Sequence, residues 1–195
     1  YAFLNFSTDT TDPKRGALVQ KITESGAELS QKLMFFDLEW KDVPDEQAAK
    51  LLADPTLGKY KHPLEAERRT KPYTLSEIEE QLLVEKAVTG RNAWSRFFTQ
   101  LTSSMRYQFD GEKLNQSQIL AKFHDTDRET RLKAATALTE GLREHAMELS
   151  YIFNVLVADK ASDDKRRGYP SWISARNLSN KAPDEVVEAL IKAVT

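Results

Sequence analysis

Cysteine is absent from the 195 residues, which excludes disulfide frameworks, cysteine nucleophiles and thiolate metal sites. Absence of thiols suits a reducing compartment, and the chain is expected to be cytoplasmic. Glycine and proline are scarce, at seven each, against a usual combined share of about 12%. Few breakers favour long uninterrupted elements over many short turns. Neither charge dominates: 28 Lys+Arg face 30 Asp+Glu, for a net charge of −2. The whole chain therefore has no bulk attraction for nucleic acid or an anionic membrane. No apolar run approaches the ~18 residues of a membrane span, and no signal peptide opens the sequence. The first residue is Tyr1 rather than Met, so a fragment or a processed product is expected.

What is present is helical spacing of apolar residues. Leu18, Ile22, Leu29, Leu33 and Phe36 predict one helix over about 13–41, opened by Pro13 and weakened at Gly26. Pro44-Asp45 opens a short helix over Ala48–Leu52. The stretch 55–73 contains Pro55, Pro63 and Pro72 and reads as short helical turns joined by loop. Its Lys59, Lys61, Arg68, Arg69 and Lys71 form a local basic stretch, which is either a solvated surface or a contact for a peptide or partner. Thr74 with Glu77, or Ser76 with Glu79, supplies a capping box for a helix over about 76–88. A helix over about 91–105 follows, with Trp94, Phe97, Phe98, Leu101 and Met105 on its apolar face. Asp110-Gly111 between short alternating runs predicts a β-hairpin near 106–115. A short helix over about 116–124 is next. Asp125 or Thr126 then caps a helix that could run unbroken to Asp159, with Leu132, Ala135, Leu138, Leu142, His145, Leu149, Ile152, Phe153 and Leu156 as its stripe. Residues 160–181 read as loop. A last amphipathic helix begins at Pro183 and is still running at Thr195. The expectation is an all-α, elongated helical array with at most one small hairpin. It divides into N-terminal helices with a basic connector (1–73) and a helical subdomain (74–195).

Catalytic signatures are missing. The three histidines, His62, His124 and His145, fit no H-E-x-x-H pattern. His145 and Glu148, three residues apart, are the only nominees for metal ligands, and a site needs at least a third. No nucleophile elbow, P-loop or dinucleotide fingerprint occurs. Paired acids such as Glu79-Glu80, and Glu140 with Glu144, read as solvated helix faces rather than acid–base pairs. Arg91, Trp94, Arg96 and Phe97 mix basic and aromatic residues, as nucleic-acid surfaces do, but their spacing places the aromatics in a core. Tyr169 and Trp172, in the loop Tyr169-Pro170-Ser171-Trp172, and Arg68 and Arg69 are the candidates for contacts with a substrate or partner.

Two long segments, 33–101 and 127–178, carry a more specific pattern. Glu39-Trp40 follows an apolar helix. Lys71-Pro72, two residues on, leads into Leu75-Ser76-Glu77 and Glu79-Glu80. Thr89-Gly90 precedes Ala93-Trp94, Arg96 and Phe98. Arg131 with Ala134-Ala135 leads to Ile152, Asn154, Leu156, Asp159-Lys160, and then Arg167 with Tyr169-Pro170. This pattern resembles the N-terminal helical region of the oligoendopeptidase F branch of the M3 zinc peptidases. The resemblance implies a parent enzyme that hydrolyses peptides of limited length with zinc held by H-E-x-x-H and a downstream Glu. That motif is absent here, so no catalytic residue carries over and the chain alone is expected to be inactive. It would form one wall of the substrate channel, with the C-terminal catalytic domain of the same polypeptide and a peptide substrate as partners. No nucleic-acid or membrane partner is expected, and self-association through an uncovered apolar face is. The alternative is a stand-alone helical interaction module without catalysis.

Overall fold

A computed structural model describes residues 1–195. It contains eleven α-helices and one two-stranded sheet. The helices are α1 (Ala2–Thr8), α2 (Pro13–Asp42), α3 (Asp45–Leu52), α4 (Lys61–Arg68), α5 (Glu77–Thr89), α6 (Arg91–Ser104), α7 (Gln116–Ala121), α8 (Arg128–Glu144), α9 (Ala146–Arg167), α10 (Ser174–Asn180) and α11 (Asp184–Val194). The strands are β1 (Tyr107–Phe109) and β2 (Glu112–Leu114). The all-α reading with one hairpin holds. No helix is long and apolar enough to cross a membrane.

The chain forms two compact units, residues 1–26 with 87–158 and residues 27–86 with 159–195. Their division falls inside α2, α5 and α9.

The core of the first unit is built on the hairpin. Asp110 (φ 47°) and Gly111 (φ 87°) supply the two left-handed residues of a tight turn. The turn sets the antiparallel register Tyr107↔Leu114, Gln108↔Lys113 and Phe109↔Glu112. Alternation then puts Tyr107 and Phe109 on one face, where they bury with Leu114, Met105, Ile119, Ala134 and Ala137. Asn115 caps α7 through a complete capping box with Gln118. The α8 surface that meets this cluster combines the small residues Ala134 and Ala137 with Leu138 and Leu142. A Cβ on Gly141 would lie 2.6 Å from the Tyr107 ring, so only glycine lets the helix approach this closely.

This packing keeps most of the stripe read on α8 and α9 and corrects its edges. Leu138, Leu142 and Leu149 pack against the cluster and Ile152 is buried, but Leu132 and Phe153 are exposed, and Ala134 and Ala137, absent from the stripe, are buried. Periodicity weighted the large residues, but the wide Tyr107 ring draws in small ones beside them. The helix is also not continuous. Asp127, rather than Asp125 or Thr126, caps it, accepting from the Thr130 N–H. His145 leaves helical geometry (φ −112°, ψ 19°) and separates α8 from α9. No glycine or proline marks this break, so periodicity runs through it. In α6, Phe97 and Phe98 are exposed and Thr102 is buried in their stead. Helix α1 has no counterpart in the sequence reading.

In the second unit the apolar face of α2 finds little cover, and Leu29, Leu33 and Phe36 are exposed. Trp40 is buried, and its indole N–H donates to the Leu64 carbonyl at 2.9 Å. Of the two capping boxes, Ser76 with Glu79 forms, and α5 starts at Glu77. The region 160–181 is mostly helix rather than loop: α9 continues to Arg167, and α10 occupies Ser174–Asn180. Its i,i+4 pairs Lys160–Asp164 and Asp163–Arg167 support that extra length.

Candidate functional site

Two of the aromatic and basic candidates of the second unit, Tyr169 and Arg69, come near one another where α9 ends. Arg167 is the last residue of α9. Gly168 then turns the chain left-handed (φ 76°), and the Tyr169 N–H donates back to the Asp164 carbonyl at 3.0 Å. This helix stop swings Tyr169 onto Tyr73, ring centroids 4.2 Å apart and nearly parallel. Tyr73 itself ends the 3₁₀ turn Lys71–Tyr73.

Arg167 fixes the arrangement. Its guanidinium donates to Glu80 of α5 at 2.6 and 2.9 Å, to Asp163 at 3.0 and 3.2 Å, and to the Tyr73 carbonyl at 3.2 Å. Glu80 also accepts from the Leu75 N–H at 3.0 Å. Burial pushes the Glu80 carboxyl up, but the Arg167 hydrogen bonds and the Leu75 N–H outweigh it and hold the carboxyl below its usual range. The same bonds raise Arg167 against its own desolvation. Desolvation raises Tyr169 and keeps the phenol neutral. Glu80 is thus an internal counterion with a 15% exposed side chain, not the solvated face the Glu79-Glu80 spacing suggested. Sequence reasoning passed over Arg167 as a fixed point; the Arg-Gly-Tyr-Pro run was its only signal.

Two small cavities meet at Tyr73. One, about 190 Å³, lies among Lys41, Thr74, Arg167 and Tyr169. The other, about 280 Å³, is lined by Arg69, Ser174, Asn177 and Lys181. Arg69 has no carboxylate within salt-bridge distance, and Lys181 meets only the His62 ring at 3.2 Å. Asn177 is spent on Asp184, donating at 2.7 Å. These cavities offer aromatic surface, hydroxyls and the two cations Arg69 and Lys181.

The remaining candidates lie elsewhere. Arg68 is tied into its own surroundings: it donates to the Trp40 and Val43 carbonyls at 2.5 and 2.7 Å, pairs with Asp45 and stacks on the Trp40 ring. It closes the link between α2 and α3. Trp172 has a 75% exposed side chain and stands apart from the tyrosine pair, its carbonyl accepting from Lys160 at 2.7 Å. His145 and Glu148 belong to the first unit, with Nδ1 4.0 Å from the carboxylate, beyond hydrogen-bond range. No third His, Asp or Glu joins them. A zinc ion needs at least three protein ligands, so this donor set does not fit one.

Residues 39–107 match the family model described as Oligopeptidase F. Group B oligopeptidase PepB of Streptococcus agalactiae is 25% identical over 201 residues, taking in all of this chain and 33% of that protein. The crystal structure of oligoendopeptidase-F from Enterococcus faecium superposes on the whole chain with a TM-score of 0.85, at 22% identity and 40% coverage of that chain. A Chlamydophila abortus crystal structure does so at 0.68, also with 22% identity, over 34% of its length.

Residues 39–107 thus resemble Oligopeptidase F, and the chain as a whole has the fold seen in these solved structures. The chain spans a third of the length of the curated relative it matches. Within the matched stretch fall Trp40, Arg68, Tyr73, Glu80 and Arg96; Arg167 and Tyr169 lie beyond it.

Proposed function

We propose that this chain is a non-catalytic, N-terminal part of a zinc-dependent, cytoplasmic oligopeptidase of oligoendopeptidase F type. It forms a wall of the substrate channel and limits the length of peptide that reaches the metal. On this reading the zinc ligands would come from other parts of the polypeptide; no three His, Asp or Glu side chains come together here. The observation that carries the reading is the match of residues 39–107 to Oligopeptidase F, together with the superposition of the whole chain on oligoendopeptidase-F. The exposed apolar residues of α2, among them Leu29, Leu33 and Phe36, are the surface on which the catalytic part of the same polypeptide would seat. Tyr73, Tyr169 and Arg69 would touch the passing peptide.

The test has two arms. The 195-residue chain should hold no stoichiometric zinc and cleave no peptide. In the full-length enzyme, Tyr169→Ala should change KM for long peptides more than for short ones and leave zinc content unchanged. One tightly bound zinc per isolated chain, or hydrolysis by it, would overturn the non-catalytic reading. An equal effect of Tyr169→Ala at every peptide length would remove the size-limiting role.

A further inference from the structure

One feature the proposed function leaves unused is a half-open cavity of about 480 Å³ in the first unit. That size lies within the range of small-molecule sites. Its walls are mainly apolar and include Phe3, Phe6, Val19, Val88 and Ala93. One charged side chain reaches it, Arg96 of α6. The guanidinium donates from Nη1 to the Gln20 amide oxygen at 2.9 Å and from Nη2 to the Gly16 carbonyl at 3.0 Å. It lies 5.5 Å from the centroid of the Phe6 ring. Both acceptors are neutral. The Nε–H is buried with no acceptor at all.

Gly16 makes this seat. A Cβ there would stand 2.9 Å from Nη2, so any larger residue would push the guanidinium out. The result is a cation with donors to spare, held at an apolar cavity with no carboxylate against it. A cation removed from bulk water without a counterion carries a desolvation cost that an anion relieves. The hydrogen bonds it would form are of the stronger, charge-assisted kind.

We propose that this cavity binds a small amphipathic carboxylate, its anionic head on Arg96 and its apolar body against Phe3, Phe6, Val19 and Val88. Two sources share that chemistry: the free C-terminus of a short apolar peptide, and a medium-chain fatty acid. The site does not depend on the proposed channel role, since it is measured on the chain itself without any hydrolysis.

Titration calorimetry on the 195-residue chain compares octanoate with octan-1-ol, and N-acetyl-Leu-Phe with its C-terminal amide. At least one carboxylate should bind about tenfold more tightly than its neutral counterpart, the worth of one charge-assisted hydrogen bond. The preferred pair identifies the source. In nitrogen-resolved NMR, the Arg96 Nε–H signal should move with the carboxylate and stay still with the neutral probe. Arg96→Gln should abolish the preference, and Gly16→Ala should weaken it. Ala93→Leu, which adds bulk from a solvent-facing wall position, should block binding while Arg96 remains, and it serves if Arg96→Gln does not fold. Equal binding of charged and neutral probes, no binding of any probe, or a preference that survives Arg96→Gln would overturn the proposal.

Discussion

The two units of this chain have the same helical content by different means. Ten of the twelve buried apolar side chains lie in the first unit; only Trp40 and Ala48 lie in the second. The first unit is held by shape: the hairpin presents Tyr107, and Ala134, Ala137 and Gly141 of α8 make room for it. The second is held by guanidinium groups. Arg68 gathers backbone carbonyls at the α2–α3 link, and Arg167 joins α9 to α5 and to the turn at Tyr73. Apolar packing is not screened by salt as charge pairs are, and its strength does not hang on the ionisation of its members. Charged clamps fix geometry through directed hydrogen bonds, and they depend on both partners staying ionised. The candidate contact residues stand on the clamped unit, where position is set by a few strong bonds.

The comparison can be broken most severely at Tyr107. Its ring is fully buried, and Tyr107→Ala should cost about 3–5 kcal/mol, as large aromatic truncations in cores do. Urea unfolding gives the size. Residue-resolved hydrogen exchange should show the loss in β1, β2 and α8, and an equal loss around Arg167 would erase the distinction between the units.

Arg167→Ala should come next. It strips Glu80 and Asp163 of their shared partner at a site that is 15–18% exposed for Glu80 and Arg167. A cost of about 2–3 kcal/mol lies between the values for exposed and fully buried pairs. A double-mutant cycle with Glu80→Gln should show strong coupling; additive effects would mean that the pair does not hold the unit.

Acid and alkali should separate the units further. The Glu80 carboxyl is held below its unfolded value, so its contribution is complete above about pH 4.5 and is lost as pH falls through the folded value. Exchange protection around α5 and the end of α9 should therefore drop first in acid. In the first unit, desolvation raises the Tyr107 phenol, so its neutral form is favoured in the fold and stability falls as pH rises past about 10. Simultaneous loss of both units in acid would contradict the assignment of forces.

The smallest effect is expected at Gly141. Gly141→Ala gains about 1 kcal/mol of helix propensity but presses on the Tyr107 ring, where overpacking costs about 1–3 kcal/mol. A net loss of about 1 kcal/mol should appear as a lower Tm. A gain would show that the hairpin yields easily.

Much of the fold was legible because its determinants are local. Pro13, Pro44-Asp45, Ser76 with Glu79, Asp110-Gly111 and Pro183 each act within a few residues, through fixed φ, capping or a left-handed turn. The helix starts and the hairpin follow from them without reference to the rest of the chain. The pattern from Glu39-Trp40 to Arg96 was also legible as words rather than as physics, and it led to the same family as the matched stretch 39–107. The site was less legible. Arg69 and Tyr169 were nominated and both reach Tyr73, but Arg68 turned out to be committed to backbone carbonyls and Trp172 to stand apart.

What the sequence determined by itself was the menu of elements and their punctuation. What only the tertiary structure decided was which face each helix buries, where the long helix breaks at His145, and which charges find partners seventy or more residues away. Arg167 meets Glu80 across 87 residues, and Arg96 meets Gly16 across 80. A period of 3.6 residues says that a face exists, but its width and contents depend on what it meets. A tyrosine ring against α8 makes alanine and glycine core residues there and leaves Leu132 in solvent.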